Sequence, residues 1–367
     1  MMTNEISQRR WINFKKNKKA FYSAIIFLLL FLVSLCAEFI ANDKPLLIIF
    51  KGKYYTPVFN FYSEKEFGGD LRTEAIYKDV EVQCLIISGG NNNCWESPNK
   101  IIDRYNQLDN KSEFQKGKIF WAIIRYKHNT IADLDEPAPS PPSYEHFLGT
   151  DDTARDVMAR IIYGFRVSVI FGLLVTIAAS SIGVLIGALQ GYFGGKADLF
   201  GQRIIEIWTA VPSLYVIIII SAFLKIDFVM LVILMTLFSW TALVGVVRAE
   251  FLRVRNFDYV VAAKALGVPP STIIFKHLLP NAMVATLTLI PFILTGAIGS
   301  LAALDFLGFG LPASYPSLGE LTMQAKQNLQ APWLGLSAFF VFALMLGLLV
   351  FIFEGVRDAF DPRKTFS

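Results

Sequence analysis

Charged residues are scarce in this chain: Asp, Glu, Lys and Arg together make up 17% of its 367 residues, against about 25% in soluble globular domains. Residues 167–193 and 278–304 contain none at all. Helices that long with no charged edge exclude an ordinary soluble fold, because nothing on them would face water. Histidine is nearly absent. The three present, His128, His146 and His277, fall in separate loops, which excludes a His-based metal cluster and a Ser/His catalytic pair. A phosphate-cradling loop needs Gly-x-x-x-x-Gly-Lys-Ser/Thr. Here Gly194-Gly-Lys196 runs into Ala197 and the leading glycine is missing, so ATP hydrolysis cannot come from this chain. No cofactor-binding pattern and no solenoid-period repeat is present, and no catalytic residue is assigned.

What the chain has is apolar length. Hydrophobic residues make up 54%, and a helix needs about 20 of them in succession to cross roughly 30 Å of hydrocarbon. Six runs qualify, near residues 21–41, 167–189, 207–224, 228–247, 283–303 and 333–353. The expectation is an all-α membrane protein with six transmembrane helices. The first run follows a basic leader, as a signal peptide would, but it is longer than an h-region and no small-x-small site precedes Asp43; it reads as an uncleaved anchor. Arg9, Arg10, Lys15, Lys16, Lys18 and Lys19 stand before it against Glu5 alone, which places the N-terminus in the cytoplasm. Six spans return the C-terminus to the same side. The loop after the fourth run agrees, carrying Arg248, Arg253, Arg255, Lys264 and Lys276, whereas the loops after the third and fifth hold only Lys225 and Lys326 as basic residues. With no soluble domain behind it, the basic leader does not point to nucleic acid.

Organisation follows from the spans. Trp11, Ile12 and Phe14 interleave with the basic leader and suit a short amphipathic elbow at the membrane interface. Residues 1–41 are thus elbow and first helix. Residues 42–144 form an extracytoplasmic insert, in which 46–50, 58–62 and 119–126 read as short strands, giving a mixed α/β expectation. Of the three cysteines, Cys36 lies in the first run and reads as packing. Cys84 and Cys94 fall in the insert, where an oxidising compartment permits a disulfide, though two free thiols fit the spacing equally. The insert closes on Glu136-Pro-Ala-Pro-Ser-Pro-Pro-Ser143, a stiff extended linker; the acids before it, Asp133, Asp135 and Glu136, read as solvated side chains rather than a cation site. Residues 145–367 are the five-helix core with a cytoplasmic loop at 248–282. Pro212 and Pro291 lie in the third and fifth runs and should kink them. Thr209, Ser213, Thr295 and Ser300 are candidate polar residues of a pathway between helices, a role that competes with simple helix-to-helix hydrogen bonding.

The cytoplasmic loop reads Tyr259-Val-Val-Ala-Ala-Lys-Ala-Leu-Gly267, then Val-Pro-Pro-Ser-Thr-Ile-Ile-Phe-Lys-His-Leu-Leu-Pro280-Asn281. This pattern predicts a helix broken at glycine, a restart at Pro269-Pro270 with Ser271 and Thr272 in its first turn, and a stop at Pro280. Small residues Ala262, Ala263 and Ala265 at the exposed turn would let another protein approach the backbone closely.

That loop resembles the signature of ABC-importer permeases: Glu-Ala-Ala, three residues, Gly, nine residues, Ile, any residue, Leu-Pro. Ala262, Ala263, Gly267, Leu279 and Pro280 match at the right spacing; Val261 replaces the usual Glu and His277 the usual Ile. The resemblance implies a type I importer permease fold, with Ala262, Ala263, Lys264, Ala265, Gly267, Leu279 and Pro280 in an element that docks into an ATPase subunit. Further along, Leu148-Gly-Thr-Asp-Asp-Thr-Ala-Arg-Asp156, Asp305-Phe-Leu-Gly-Phe-Gly310, Ser317-Leu-Gly-Glu320, Ala331-Pro-Trp333 and Arg357-Asp-Ala-Phe-Asp-Pro362 are similar to the dipeptide and oligopeptide class. The long insert and the segment 246–258 resemble the Yej-type permeases, which implies peptide uptake, microcin C included, across the bacterial inner membrane. The implied partners are a second permease subunit, two ATP-binding subunits that use ATP and Mg, and a periplasmic peptide-binding protein. A permease for another delivered solute, such as a nickel chelate, is the alternative within the family. A secondary transporter is the alternative outside it, and it would place ionisable groups at mid-membrane; Glu38, Glu206, Asp305 and Glu354 lie at span ends instead.

Overall fold

A computed structural model describes residues 2–107, 117–134 and 136–360; Asp135 and the terminal Asp361-Pro362 of the last quoted motif lie outside the described residues. The chain divides into two compact units, Met1–Leu32 with Gly164–Ser367, and Val33–Tyr163.

Helix α1 (Met2–Lys16) and helix α2 (Lys18–Leu35) are separated at Asn17, whose side-chain oxygen accepts a bond from the Ala20 N–H at 3.3 Å. A side-chain acceptor at this position caps the restarting helix. After the short α3 (Ala37–Ile40) come β1 (Leu47–Phe50) and β2 (Lys53–Tyr55). Lys51 and Gly52 both take positive φ, 49° and 75°, the two-residue turn whose twist matches an antiparallel hairpin. Helices α4 (Val80–Ser88) and α5 (Pro98–Gln107) and strand β3 (Lys118–Phe120) complete the second unit. The sheet order is β2-β1-β3, antiparallel throughout, with Ile48 opposite both Tyr55 and Ile119.

The inward side chains of β1, Ile48 and Phe50, pack with Phe67, Tyr77, Val82 and Ile86 in a buried cluster. Edge-to-face rings stiffen it, Phe50 against Phe67 at 5.5 Å and Tyr55 against Tyr62 at 5.0 Å. Cys84 and Cys94 are fully buried and joined as a disulfide. Two of the expected strands are corrected. Residues 58–62 form no strand, because Phe59 and Asn60 N–H both turn back to the Thr56 carbonyl at 3.1 Å and Asn60 also bonds the Thr56 hydroxyl. Of residues 119–126, only the first two belong to β3; Ile124 adds an isolated bridge to Ala41.

The segment before α6 (Val157–Phe193) is tied by buried charge. Asp151 accepts from the Thr153 and Arg155 N–H groups and the Thr153 hydroxyl, each at 2.9 Å, and from Arg155 Nε at 2.8 Å and Arg160 Nη1 at 3.0 Å. Asp156 caps α6 through the Ala159 N–H at 2.7 Å and holds His146 Nδ1 at 2.8 Å. The motif at 148–156 thus organises a helix start.

The remaining helices are α7 (Gly195–Ala210), α8 (Ser213–Phe223), α9 (Phe228–Ser239), α10 (Thr241–Val254), α11 (Asp258–Ala265), α12 (Pro270–Thr272), α13 (Leu279–Leu287), α14 (Ile290–Phe306), α15 (Leu318–Gln327) and α16 (Pro332–Phe360). Among the described residues α2, α6, the run Phe228–Val254 and α16 are long and apolar enough to cross a membrane. The third and fifth apolar runs are not single straight helices. Helices α7 and α8 bend by 65° where Pro212, unable to donate, precedes α8. The fifth run is shared by α13 and the 17-residue α14, with Pro291 in the first turn of α14, where its missing N–H costs nothing.

Close approach fixes the helix packing. Gly183, Gly187 and Gly191 lie one turn apart on α6 and meet α10: a Cβ on Gly187 would stand 2.8 Å from the Val244 carbonyl and 2.9 Å from Val247 Cβ, and one on Gly191 2.5 Å from Phe251 Cβ. In lipid, small residues every fourth position let backbones touch and gain dispersion contacts that larger side chains would prevent. Farther along α6, Gly172 is filled by Ile298 and Leu294 of α14 in the same way. The elbow helix α1 through Phe14, and the start of α2 through Ala20, pack on Ala359 of α16, with the Arg10 guanidinium 4.5 Å from the Phe360 ring centroid.

Candidate functional site

The segment between α10 and α13 is built as an outward-facing elbow on a buried root. Helix α11 buries Val260, which joins Ile273, Ile274 and Leu278 in the same cluster as Val247, Phe251 and Val254 of α10. Gly267 ends α11 with φ +74°, and no atom lies within 4 Å of where its Cβ would be; the residue is required by backbone conformation, since only glycine takes that φ without strain. Its neighbour Leu266 is 83% exposed, and Phe257, Tyr259, Val261 and Phe275 are exposed with it. These side chains make an exposed apolar tip next to a chain reversal.

Several bonds make the elbow rigid with the helices beneath it. Asn281 Nδ2 donates to the Tyr259 hydroxyl at 3.0 Å, tying α11 to α13. The Lys264 ammonium lies 4.9 Å from the centroid of Tyr192 at the end of α6. Arg255 Nη1 donates to the Gly191 carbonyl at 3.2 Å, one of the last acceptors of α6 that the helix cannot satisfy itself. Arg248 of α10 pairs through both Nε and Nη2 with the Asp198 carboxylate of α7, the second bond at 2.7 Å; two parallel bonds of this kind fix orientation as well as distance.

Of the residues predicted for coupling, Ala262, Lys264, Ala265 and Gly267 are exposed at the tip. One placement is corrected. Ala263 is half-buried and packs on the core under α11, because it lies three positions from Val260 on the same helical face. Leu279 likewise faces the core. Pro280, exposed, does not stop the second helix: residues Ile273–Leu278 form a π-helical turn and α13 continues from Leu279 with proline in its first turn. The wider turn shifts the hydrogen-bond register, so that a residue without N–H is accommodated.

The four candidate pathway residues are not brought together. Ser300 lines a cavity of about 320 Å³ with Ser239, Met235, Phe292 and Gly296, between α9–α10 and α14. Thr295 bonds back to the carbonyls of Pro291 and Phe292 at 3.3 and 3.1 Å, and Thr209 to Ile205 at 2.8 Å, the local bonding that hydroxyls make in apolar helices. Ser213 opens α8. The motif at 305–320 is a turn: Asp305 accepts from the Leu311 N–H at 2.7 Å and the Ser317 hydroxyl at 2.5 Å, while Ser317 caps α15 through Gly319 and Glu320 N–H. Sequence reasoning missed the glycine file of α6 and the Asp198–Arg248 pair. The four-residue spacing was a usable signal for the first; the second joins residues fifty apart and had none.

An apolar multi-helix body with a compact elbow and an exposed apolar tip fits a transport permease. The family described as "Binding-protein-dependent transport system inner membrane component" matches residues 183–366, and the "N-terminal TM domain of oligopeptide transport permease C" matches residues 6–57. The chain belongs to the binding-protein-dependent inner membrane components, the permeases of ABC importers, and is a multi-pass inner-membrane protein. Individual relatives narrow this further. The chain is 51% identical to the "Inner membrane ABC transporter permease protein YejE" of Escherichia coli (strain K12) over 98% of each chain. It is 49% identical to the "Peptidoglycan transport system permease protein YejE" of Agrobacterium fabrum, over 98% of this chain and 94% of that one. With the "Oligopeptide transport system permease protein OppC" of Bacillus subtilis it shares 36% identity over 65% of this chain and 78% of that one.

Proposed function

We propose that this chain is a permease subunit of an ABC importer that moves peptides inward across the bacterial inner membrane, with residues 248–282 as the element that couples it to an ATPase subunit. The observation that carries the coupling role is the exposed Leu266–Gly267 tip on a root rigidly joined to α10, α13 and α6. Force applied at the tip is transmitted through the buried cluster around Val260 rather than absorbed in a loose loop, because packed interiors have low compressibility. ATP-driven closure of two such ATPase subunits draws two elbows together, and the bundle, in this chain and in a second permease subunit, rocks between inward and outward access. A periplasmic binding protein delivers the peptide. Both termini are cytoplasmic, and six crossings result when α7–α8 and α13–α14 each count once. Ser300, facing the 320 Å³ cavity, is the pathway residue this reading retains.

The test uses substitutions at exposed positions, so that folding is preserved. The full complex is purified with wild-type chain, Ala262→Arg or Leu266→Asp, and assayed for bound ATPase subunit and peptide-stimulated hydrolysis. Loss of both in the variants, with the chain still folded in the membrane, is the expected result. Peptide transport by a wild-type chain to which no ATPase is attached would overturn the proposal.

A further inference from the structure

Within Val33–Tyr163, a cleft of about 390 Å³ opens between the residues following β3, the start of α4 and the turn at 144–147; its lining includes Lys78, Trp121, Arg125, Tyr144, Glu145 and Phe147. Its size falls at the lower end of the ~300–1,000 Å³ range of small-molecule sites, enough for a dipeptide or tripeptide. Two cations and one carboxylate line it. The Lys78 ammonium sits 3.2 Å from the Tyr126 ring centroid and Arg125 lies 5.5 Å from that of Trp121. Among the described residues neither cation makes an ion pair with a carboxylate. Burial pushes Lys78 down to about 8, with Asp43, Asp156 and Glu145 compensating only in part and Arg125 opposing them. A half-buried ammonium with no direct counter-ion is a place where an incoming anion gains more than it would at the surface.

The apolar side of the cleft is equally unsatisfied. Tyr144 is 99% exposed, Phe147 52% and Ile123 77%, large groups held in water around the two cations. Tyr144 and Phe147 are not on a loose loop: His146 between them is buried with its Nδ1 2.8 Å from Asp156, and its backbone N–H donates to Ser143 Oγ at 3.1 Å. A backbone turn fixed in advance leaves only side-chain rotation to be lost when a ligand covers the rings.

We infer that this cleft binds a short peptide with a free C-terminal carboxylate and a large apolar or aromatic side chain. The carboxylate meets Lys78 and Arg125, the α-ammonium meets Glu145, and the side chain lies on Tyr144 and Phe147. The cleft itself stands on the geometry of this unit, and the choice of a peptide over another anionic amphiphile rests on the proposed function.

The experiment is titration calorimetry on the full chain in phosphatidylcholine nanodiscs, without ATPase subunits, using the dipeptide Leu-Phe and its C-terminal amide. The free acid should bind saturably, and the amide about tenfold or more weakly, the worth of one charge-assisted bond. Arg125→Gln and Tyr144→Ala, both at exposed side chains and harmless to folding, should each weaken the acid several-fold. Equal binding of acid and amide, indifference to both variants, or no saturable binding overturns the inference. Saturable binding of phosphatidylglycerol added to the nanodisc, lost in Arg125→Gln and unchanged in Tyr144→Ala, with no saturable binding of Leu-Phe, also overturns it in favour of a lipid headgroup. Peptide import by the assembled complex, measured separately, tells the two readings apart: a complex that imports peptide while the cleft binds none leaves the proposed function standing and removes only the cleft.

Discussion

Replacing Gly187 by alanine adds one methyl group where α6 touches α10, and its cost can be worked from the contact. The new carbon would lie 2.8 Å from the Val244 carbonyl, 2.9 Å from Val247 Cβ and 3.2 Å from the Arg248 nitrogen. Optimal separations are about 3.5–4.0 Å, so the helices must part by something near 1 Å. Parting them loosens the Gly183 and Gly191 contacts as well, because all three lie on one file. Overpacking of this kind costs about 1–3 kcal/mol. The matched control is Gly245→Ala on α10, where nothing lies within 4 Å of the added carbon. Both variants receive the same helix-propensity gain, up to about 1 kcal/mol, so the difference between them isolates packing. The assay is reversible unfolding of the purified chain in mixed micelles titrated with dodecyl sulfate, followed by circular dichroism. Gly187→Ala should unfold at lower dodecyl sulfate than wild type and Gly245→Ala at equal or higher. Equal midpoints for the two variants would refute the reasoning, since the glycine file would then carry no packing.

Other predictions concern the second unit. Asp151→Asn removes the charge shared by Arg155 and Arg160 at a fully buried site and should cost about 3–5 kcal/mol, visible as a lowered thermal midpoint in detergent. The Cys84–Cys94 bridge spans ten residues, a loop whose closure is worth about 2–3 kcal/mol; dithiothreitol should lower the unfolding midpoint of the wild type and leave a Cys84→Ser/Cys94→Ser variant unmoved. Lys78, pushed down to about 8 from 10.5, releases its proton in the folded chain while the unfolded chain still holds it. Stability relative to Lys78→Met should therefore rise as pH climbs from about 8 toward 10.5, and acylation of Lys78 should inflect near pH 8. A flat difference across that window would show that the ammonium is not desolvated.

Much of this molecule was legible in its sequence because the decisive quantities are local. Apolar run length sets which segments enter lipid, and the glycine spacing between Ala263 and Leu279 sets where the elbow turns. Positive φ at Gly267 follows from one residue type. The sequence could not say which of three neighbouring alanines turns inward, because that depends on Val260 finding Ile273 and Leu278 as its floor. Nor could it foresee that Pro280 continues a helix, since the π-helical turn that admits it is a register shift visible only in hydrogen bonds. The strand expected at 58–62 failed for a related reason: an apolar-aromatic run marks β-propensity, but the Thr56 carbonyl captured the backbone first. The Asp198–Arg248 pair and the Lys78–Arg125 cleft were decided by tertiary structure alone. Their members are far apart in the chain, and a charge has no visible partner until folding closes the distance over which electrostatics is strong.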